Sequence, residues 1–230
     1  MDKIITIDGP SGVGKGTASR FVANALSWRW LDSGALYRLV AHCALQQEVG
    51  FNDIPALVDI ANGLNVEFSL DAESDDPDIS LDGVVVNNAI RREECGKAAS
   101  LISAHPAVRV ALLSRQRDFA TGVGLVADGR DMGTVVFEKA PVKIFLTASA
   151  AVRAERRRKQ LLRQGVGVNM RSLLQEIEQR DKRDSSRSVC PLKPAEDAVI
   201  IDTSNLSAQQ VGEQILKIAS KVFAAEVAKQ

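Results

Sequence analysis

Gly9-Pro10-Ser11-Gly12-Val13-Gly14-Lys15-Gly16-Thr17 is the stretch on which the reading of the chain turns. It follows a short apolar run, Lys3-Ile4-Ile5-Thr6-Ile7, and precedes a helical pattern. Strand, glycine-rich loop, lysine and helix, in that order, are the context of a phosphate-binding loop. The glycines let the backbone curl so that several N–H groups point inward at an anion. The following helix adds the positive end of its dipole, and Lys15 can reach the β- and γ-phosphates as a point charge. The alternative is a glycine turn between strand and helix that binds nothing; Gly-x4-Gly-Lys in the right place argues against it. Ser or Thr usually follows the lysine directly. Here Gly16 stands there and Thr17 comes next, so the motif does not itself decide which hydroxyl handles magnesium.

At 230 residues the chain suffices for one α/β domain, or one with an insertion. An apolar content of 45% with few aromatics fits a globular protein. The 29 basic and 29 acidic residues cancel, so no global basic field argues for nucleic acid. The charge is uneven: Asp71 to Asp78 is acidic and Arg153 to Arg187 is arginine-rich. Cys43, Cys95 and Cys190 are odd in number and show no metal-ligand spacing, and read as reduced thiols of a cytoplasmic protein. Ile4–Ile7 is too short for a signal peptide core, and no apolar run approaches the ~20 residues a membrane helix needs. No repeat is visible, and nothing suggests an obligate partner, so a monomer is expected.

Residues 15–27 carry Ala18, Phe21, Val22, Ala25 and Leu26 at helical spacing. Trp30-Leu31 is expected as a very short strand, and Asp32 to Arg38 opens a second helix with Leu36, Leu39, Val40 and Cys43 on one face. Ser33 sits where an N-cap belongs; capping and ligand binding are both open to it. Arg38 by itself reads as an ordinary exposed arginine. Residues 51–63 look helical, after which the period changes. Val66 to Leu70 and Ile79 to Leu81 alternate, Asp82-Gly83 is a hairpin turn signal, and Val84 to Asn87 follows. This reads as an inserted antiparallel patch with a solvated acidic tip. Pro106 suits the first turn of a helix with Val108, Ala111, Leu112, Arg115 and Phe119 on its face; Arg109 lies beside that stripe.

Gly124 to Asp128 is an apolar strand ending in a carboxylate, directly before Gly129-Arg130-Asp131. Val142 to Leu146 and Ala198 to Asp202 are two more strands, and Val211, Ile215, Ile218 and Val222 mark the closing helix. Strands alternating with helices imply a doubly wound parallel α/β sheet, which binds ligands beyond the C-terminal strand ends. Gly9, Asp32, Asp128 and Thr147 stand at such ends. Asp128 resembles a Walker-B acid that could hold Mg2+ beside phosphates; a carboxylate capping the next turn is the alternative. Arg153, Arg156 and Arg157, at i, i+3 and i+4, could present guanidinium forks to phosphate, as could Arg180, Asp184 and Arg187 on the next helix. Two salt-bridged solvated helices are the bland reading. An arginine helix bounded by Gly165-Val166-Gly167 is also what a closing lid requires.

Taken together, residues 5–17 (ITIDGPSGVGKGT), 31–38 (LDSGALYR), 126–137 (VADGRDMGTVVF), 142–149 (VKIFLTAS) and 178–187 (EQRDKRDSSR) resemble the bacterial cytidylate kinases. Nucleoside monophosphate kinases share the glycine after the loop lysine, so Gly16 fits. The resemblance implies a P-loop α/β fold divided into core 1–63, a monophosphate-side insertion 64–97, core 98–151, an arginine-rich lid 152–168 and core 169–230. It implies that residues Gly9 to Thr17 bind ATP, with Thr17 and Asp128 at Mg2+. Arg38, Arg130 and Arg187 would clamp the acceptor monophosphate beside Ser33; Arg180 and Asp184 would contact the ribose; Ser100, Arg109 and Asp131 would read the base. Lys15, Arg130, Arg187, Arg153 and Arg157 are the expected catalytic set. A carboxylate at Asp131 accepts from the cytosine N4 amino group, whereas uracil would meet it lone pair to lone pair.

The implied reaction is γ-phosphoryl transfer from Mg-ATP to CMP or dCMP. The rivals are a kinase for UMP or AMP, a shikimate-type metabolite kinase, and a GTP-binding switch. The metabolite kinase leaves DGRD and RDKRDSSR unexplained, and a switch should carry Asn-Lys-x-Asp, which this chain lacks. Thr203 and Ser204, after the last strand, are candidates for the adenine side with no distinguishing feature.

Overall fold

In the computed structural model the described residues are 3–69, 78–163, 165–187 and 189–227. The order begins β1 (Ile4–Asp8), α1 (Lys15–Leu26), β2 (Arg29–Asp32), α2 (Ser33–Gln46), α3 (Ile54–Gly63), β3 (Val66–Ser69), β4 (Asp78–Leu81), β5 (Val84–Val85). It continues α4 (Asn87–Ile90), α5 (Glu93–Ile102), α6 (Pro106–Asp118), β6 (Leu125–Gly129) and a π-helical turn (Met132–Val136). The chain closes with β7 (Val142–Thr147), α7 (Ala150–Arg163), α8 (Met170–Ser185), β8 (Val199–Asp202) and α9 (Ala208–Val227). One sheet takes five strands in the order β2-β6-β1-β7-β8, and a second takes β3-β4-β5. This is the expected α/β class with a small antiparallel patch.

The chain divides into two compact units, Met1–Val22 with Asp128–Gln230, and Ala23–Ala127. In the first, β1 runs parallel to β7 with Asp8 opposite Phe145, and β7 runs parallel to β8 with Thr147 opposite Asp202. Every residue of β1 is buried, as a strand covered on both faces requires. A Cβ on Gly212 of α9 would stand 2.2 Å from Phe21 Cδ1, so only glycine lets α9 lie against α1 there.

In the second unit α2 packs on α5 and α3 on α6. Trp30, Phe68 and Phe119 stack edge to face at 5.5 and 5.3 Å. Asp82 and Gly83 both have positive φ, 51° and 78°, which is the hairpin turn expected from Asp-Gly. The strand after it is shorter than expected. It stops at Val85, because the Asn87 side chain accepts from Ile79 N at 2.9 Å and donates to Asp78 Oδ1 at 3.2 Å, and α4 begins there. Residues 71–77 of the expected acidic tip, and Leu70 of the expected strand, lie outside the described residues.

Helix starts follow their caps. Asp53 accepts from Ala56 N at 3.2 Å and Asn169 from Arg171 N at 2.9 Å, so α3 and α8 begin at Ile54 and Met170. At α2 the cap is Asp32, whose Oδ1 accepts from Ala35 N at 3.0 Å. Ser33 is already inside the helix and does not cap it, which corrects that alternative for its role. No helix among the described residues is long and apolar enough to cross a membrane.

Candidate active site

In the first unit β1 delivers its chain into the loop at Gly9. A Cβ there would lie 2.3 Å from Leu146 O, and Gly9, Gly12 and Gly14 have φ of 149°, 77° and 100°. Backbone contact and left-handed geometry therefore both demand glycine. The loop carbonyls are tied to cations and a hydroxyl. Lys15 Nζ donates to Gly9 O and Pro10 O, both at 2.9 Å. Arg153 donates to Ser11 O at 3.1 Å, and Arg156 and Thr203 Oγ1 donate to Val13 O at 3.1 and 3.0 Å. Carbonyl ends turned to cations are the polarity that presents the N–H ends to an anion. Gly16 is half-buried with open space at its Cβ, and Thr17 is exposed on the first turn of α1.

Asp128, 4% exposed, accepts from Ser19 Oγ at 2.6 Å through Oδ2. Ser19 is buried one turn beyond Lys15 on α1, so a hydroxyl orients the strand-end acid. Among the described residues no cluster of three or more His, Cys, Asp and Glu could hold a metal alone. The hard oxygens of Asp128 and Thr17 do fit Mg2+ in its usual manner, with one or two carboxylates, waters and substrate phosphates.

Asp184 gathers the arginines. It is 1% exposed, and its Oδ2 accepts from Arg130 Nε at 3.0 Å while Oδ1 accepts from Arg187 Nη2. Burial works to raise its pKa, but Arg130 and Arg187, with a smaller contribution from Arg180, outweigh this and hold the carboxyl below its ordinary range. Two separate motifs, 126–137 and 178–187, thus supply one group. Arg153 is only 3% exposed and forks onto Asp181 through both terminal nitrogens, with Nε on Ala148 O at 3.1 Å. Arg156 also donates to Thr203 Oγ1 and O, and Thr203 is buried. Arg157 donates to Gln160 Oε1 at 2.9 Å along its own helix.

Asp131, 4% exposed, lies in the first unit, and Ser33, Arg38, Ser100 and Arg109 fall in the second. Ser33 Oγ donates to Gln116 Oε1 at 2.7 Å. Arg38 donates to Ile90 O at 2.8 Å, and its guanidinium lies against Gly96, where a Cβ would come within 3.3 Å. Arg109, 8% exposed, donates to Ser103 O at 3.2 Å and stands 5.5 Å from the Tyr37 ring centre. Ser103 Oγ in turn donates to Ser100 O at 3.1 Å, which joins Ser100 and Arg109 in one cluster. The Ser100 hydroxyl is buried and has no hydrogen-bond partner among the described residues, as is true of Thr6 Oγ1 and Thr134 Oγ1.

Beyond the expected set stand Asp8, which accepts from Met132 N and Gly133 N, and, in the groups above, residues such as Ser19, Gln116 and Asp181. Asp8 carried a readable signal, being a carboxylate at a strand end like Asp128. The other three are polar residues on helices, and nothing local separates them from solvated neighbours.

The chain can now be set beside known proteins. The cytidylate kinase family model matches residues 5–221. It is 51% identical over 214 residues to the cytidylate kinase of Shewanella denitrificans, covering 93% of this chain and 94% of that one. It is 52% identical over 221 residues to the cytidylate kinase of Aeromonas hydrophila, covering 96% and 95%. A solved structure of an uncharacterized protein from Eubacterium ventriosum superposes with a TM-score of 0.51 at 12% identity over 96% and 99% of the two chains, a likeness of fold alone. With the family model spanning nearly the whole chain and half of its positions identical to these relatives, the chain belongs to the cytidylate kinase family.

Proposed function

We propose that this chain transfers the γ-phosphoryl group of Mg-ATP to CMP or dCMP, giving ADP and CDP or dCDP. The observation that carries the reading is the pairing of Arg130 and Arg187 on one buried carboxylate, in the same unit as the glycine loop. Two guanidiniums pre-oriented by Asp184 are suited to a phosphate dianion, and a P-loop is suited to a triphosphate. The acceptor phosphate, with a second pKa near ~6, is its own nucleophile at neutral pH and needs no general base.

Lys15 exchanges its two carbonyl partners for donor phosphate oxygens, and the loop amides hold the β-phosphate. Arg130, Arg187 and Arg38 hold the acceptor, with Ser33 beside it. Arg180 and Asp184 serve the ribose side. Asp131, Arg109 and Ser100 read the base, Asp131 by accepting from the cytosine N4 amino group. Arg153 and Arg157 lie in the 152–168 lid and neutralise charge on the transferring group. Asp128 and Thr17 would hold Mg2+ on the protein side, where it would supply positive charge to the donor phosphates. Catalysis is alignment plus electrostatics. Residues 64–97 act as the monophosphate-side subdomain, and the enzyme works as a cytoplasmic monomer with no nucleic-acid or membrane partner.

The test is ADP formation with CMP, dCMP, UMP and AMP as acceptors. CMP or dCMP should exceed the other two by at least about tenfold in kcat/KM, the value of one well-placed base contact. Equal turnover of UMP would overturn the base assignment, and no turnover of any acceptor would overturn the kinase reading.

A further inference from the structure

Asp8 is used nowhere in the reaction above, yet its surroundings are built. It ends β1 directly before Gly9 and is 4% exposed. Its Oδ1 accepts from Met132 N at 2.9 Å and its Oδ2 from Gly133 N at 2.8 Å. Those amides open the π-helical turn, where N–H groups have no partner within the turn itself. The residue at the head of that turn is Asp131, a type that commonly caps its own helix. It makes no side-chain cap bond, although its carbonyl accepts from Val135 N at 2.9 Å and Val136 N at 3.1 Å. The capping is done instead from β1, 123 residues away in sequence, by Asp8.

Gly133 is shaped for this contact. A Cβ there would meet Thr6 Oγ1 at 2.9 Å, Lys143 Cδ at 3.3 Å and Asp8 Oδ2 at 3.4 Å. An added Cβ would be too close to Thr6 Oγ1, so either that side chain or the backbone that bonds Asp8 must shift.

We infer that Asp8 is a positioning residue for substrate selection: by capping the Met132–Val136 turn from the end of β1, it leaves the Asp131 carboxylate out of its own turn's capping and sets where Arg130 and Asp131 stand. Burial is the cost, and the pair of charge-assisted N–H bonds offsets part of it. The strand that launches the donor loop at Gly9 thus also fixes the segment that reads the acceptor. This inference rests on the assignment of Asp131 to the cytosine ring.

The experiment is Asp8→Asn in the full-length enzyme, which sets an amide N–H2 against one of the two backbone N–H groups. KM for CMP should rise and the CMP-to-UMP preference should fall, each by about tenfold or more, while KM for ATP stays within about twofold. Gly133→Ala should move the same quantities in the same direction with the carboxylate intact, and it decides the matter if Asp8→Asn does not fold. A purely structural role would lower the melting temperature and kcat without changing the CMP-to-UMP ratio, and that result overturns the inference. So does a rise in KM for ATP in place of CMP, which would make Asp8 a donor-loop residue. Wild-type enzyme that shows no CMP preference overturns the base reading itself, a separate outcome seen before any variant is made.

Discussion

Arg130 Nε donates to Asp184 Oδ2 at 3.0 Å across 54 residues of sequence, and the other oxygen of the same buried carboxylate holds Arg187. Two guanidiniums that would repel one another are held together by one counter-charge. Asp184→Asn keeps the shape and removes that charge. We predict a fall in kcat/KM for CMP of about a hundredfold or more, since truncating a buried charge pair costs on the order of 2–5 kcal/mol. Titrating CMP into the variant at saturating ATP checks it; unchanged KM and kcat would refute the clamp.

The same residue sets an acid limit on stability. Its pKa is depressed in the folded protein, despite burial, by Arg130 and Arg187. Its contribution is therefore present above the ordinary carboxylate value and is lost as pH falls through the folded value. Wild type should lose stability relative to Asp184→Asn below about pH 4, the unfolded carboxylate range, as measured by urea unfolding at a series of pH values.

Asp8 runs the other way. Burial pushes its carboxyl up to about 6, against the Gly133 and Met132 amides; Asp131 adds to the rise, and Lys15 opposes it. The folded state binds that proton more tightly than the unfolded chain does. The stability it brings is complete below pH ~3.8 and is lost as pH rises through about 6, a swing of up to about 3 kcal/mol. Asp8→Asn should therefore gain on wild type in unfolding free energy between pH 4 and pH 7. A constant difference between the two across that range would contradict it.

Lys15 is 7% exposed and donates to Gly9 O and Pro10 O. Lys15→Met should lower turnover on the order of a hundredfold or more with the fold retained, because it removes a charge needed as charge develops on the donor. Circular dichroism and a melting curve beside the kinetics separate the two effects, and retained activity would sink the donor role.

For Asp131→Ala we expect CMP kcat/KM to drop by about tenfold to two hundredfold, the range for one base-edge contact, with ATP affinity nearly unchanged. Isothermal titration with an ATP analogue supplies the second arm. Asp131 is buried at 4% exposure, so the melting temperature should be recorded alongside.

Local patterns were enough to read a good part of the molecule. The P-loop was legible because Gly9, Gly12 and Gly14 meet a local backbone demand, as was the Asp82-Gly83 turn, whose two positive φ angles are a property of two residues. Ser33 shows where such reading ends. Its place before an apolar run suits a cap, yet Asp32 has the oxygen at the right height for Ala35 N, and Ser33 turns to Gln116, 83 residues away. Arg153 and Arg157, four residues apart on one helix, were indistinguishable by type. The fold buries the first against Ser11 and Asp181 and leaves the second on Gln160.

The sequence by itself determined the alternation of strand and helix, the glycine loop with its lysine, the small antiparallel insertion and the membership of the motifs in one family. These depend on periodicity and short-range backbone sterics, which act over a few residues. Only the tertiary structure decided that Asp184 serves two arginines, that Ser19 orients Asp128, and that Asp8 caps the turn headed by Asp131. A buried carboxylate must find donors wherever the fold places them, and the donors that satisfy Asp8 and Asp128 come from more than a hundred residues away.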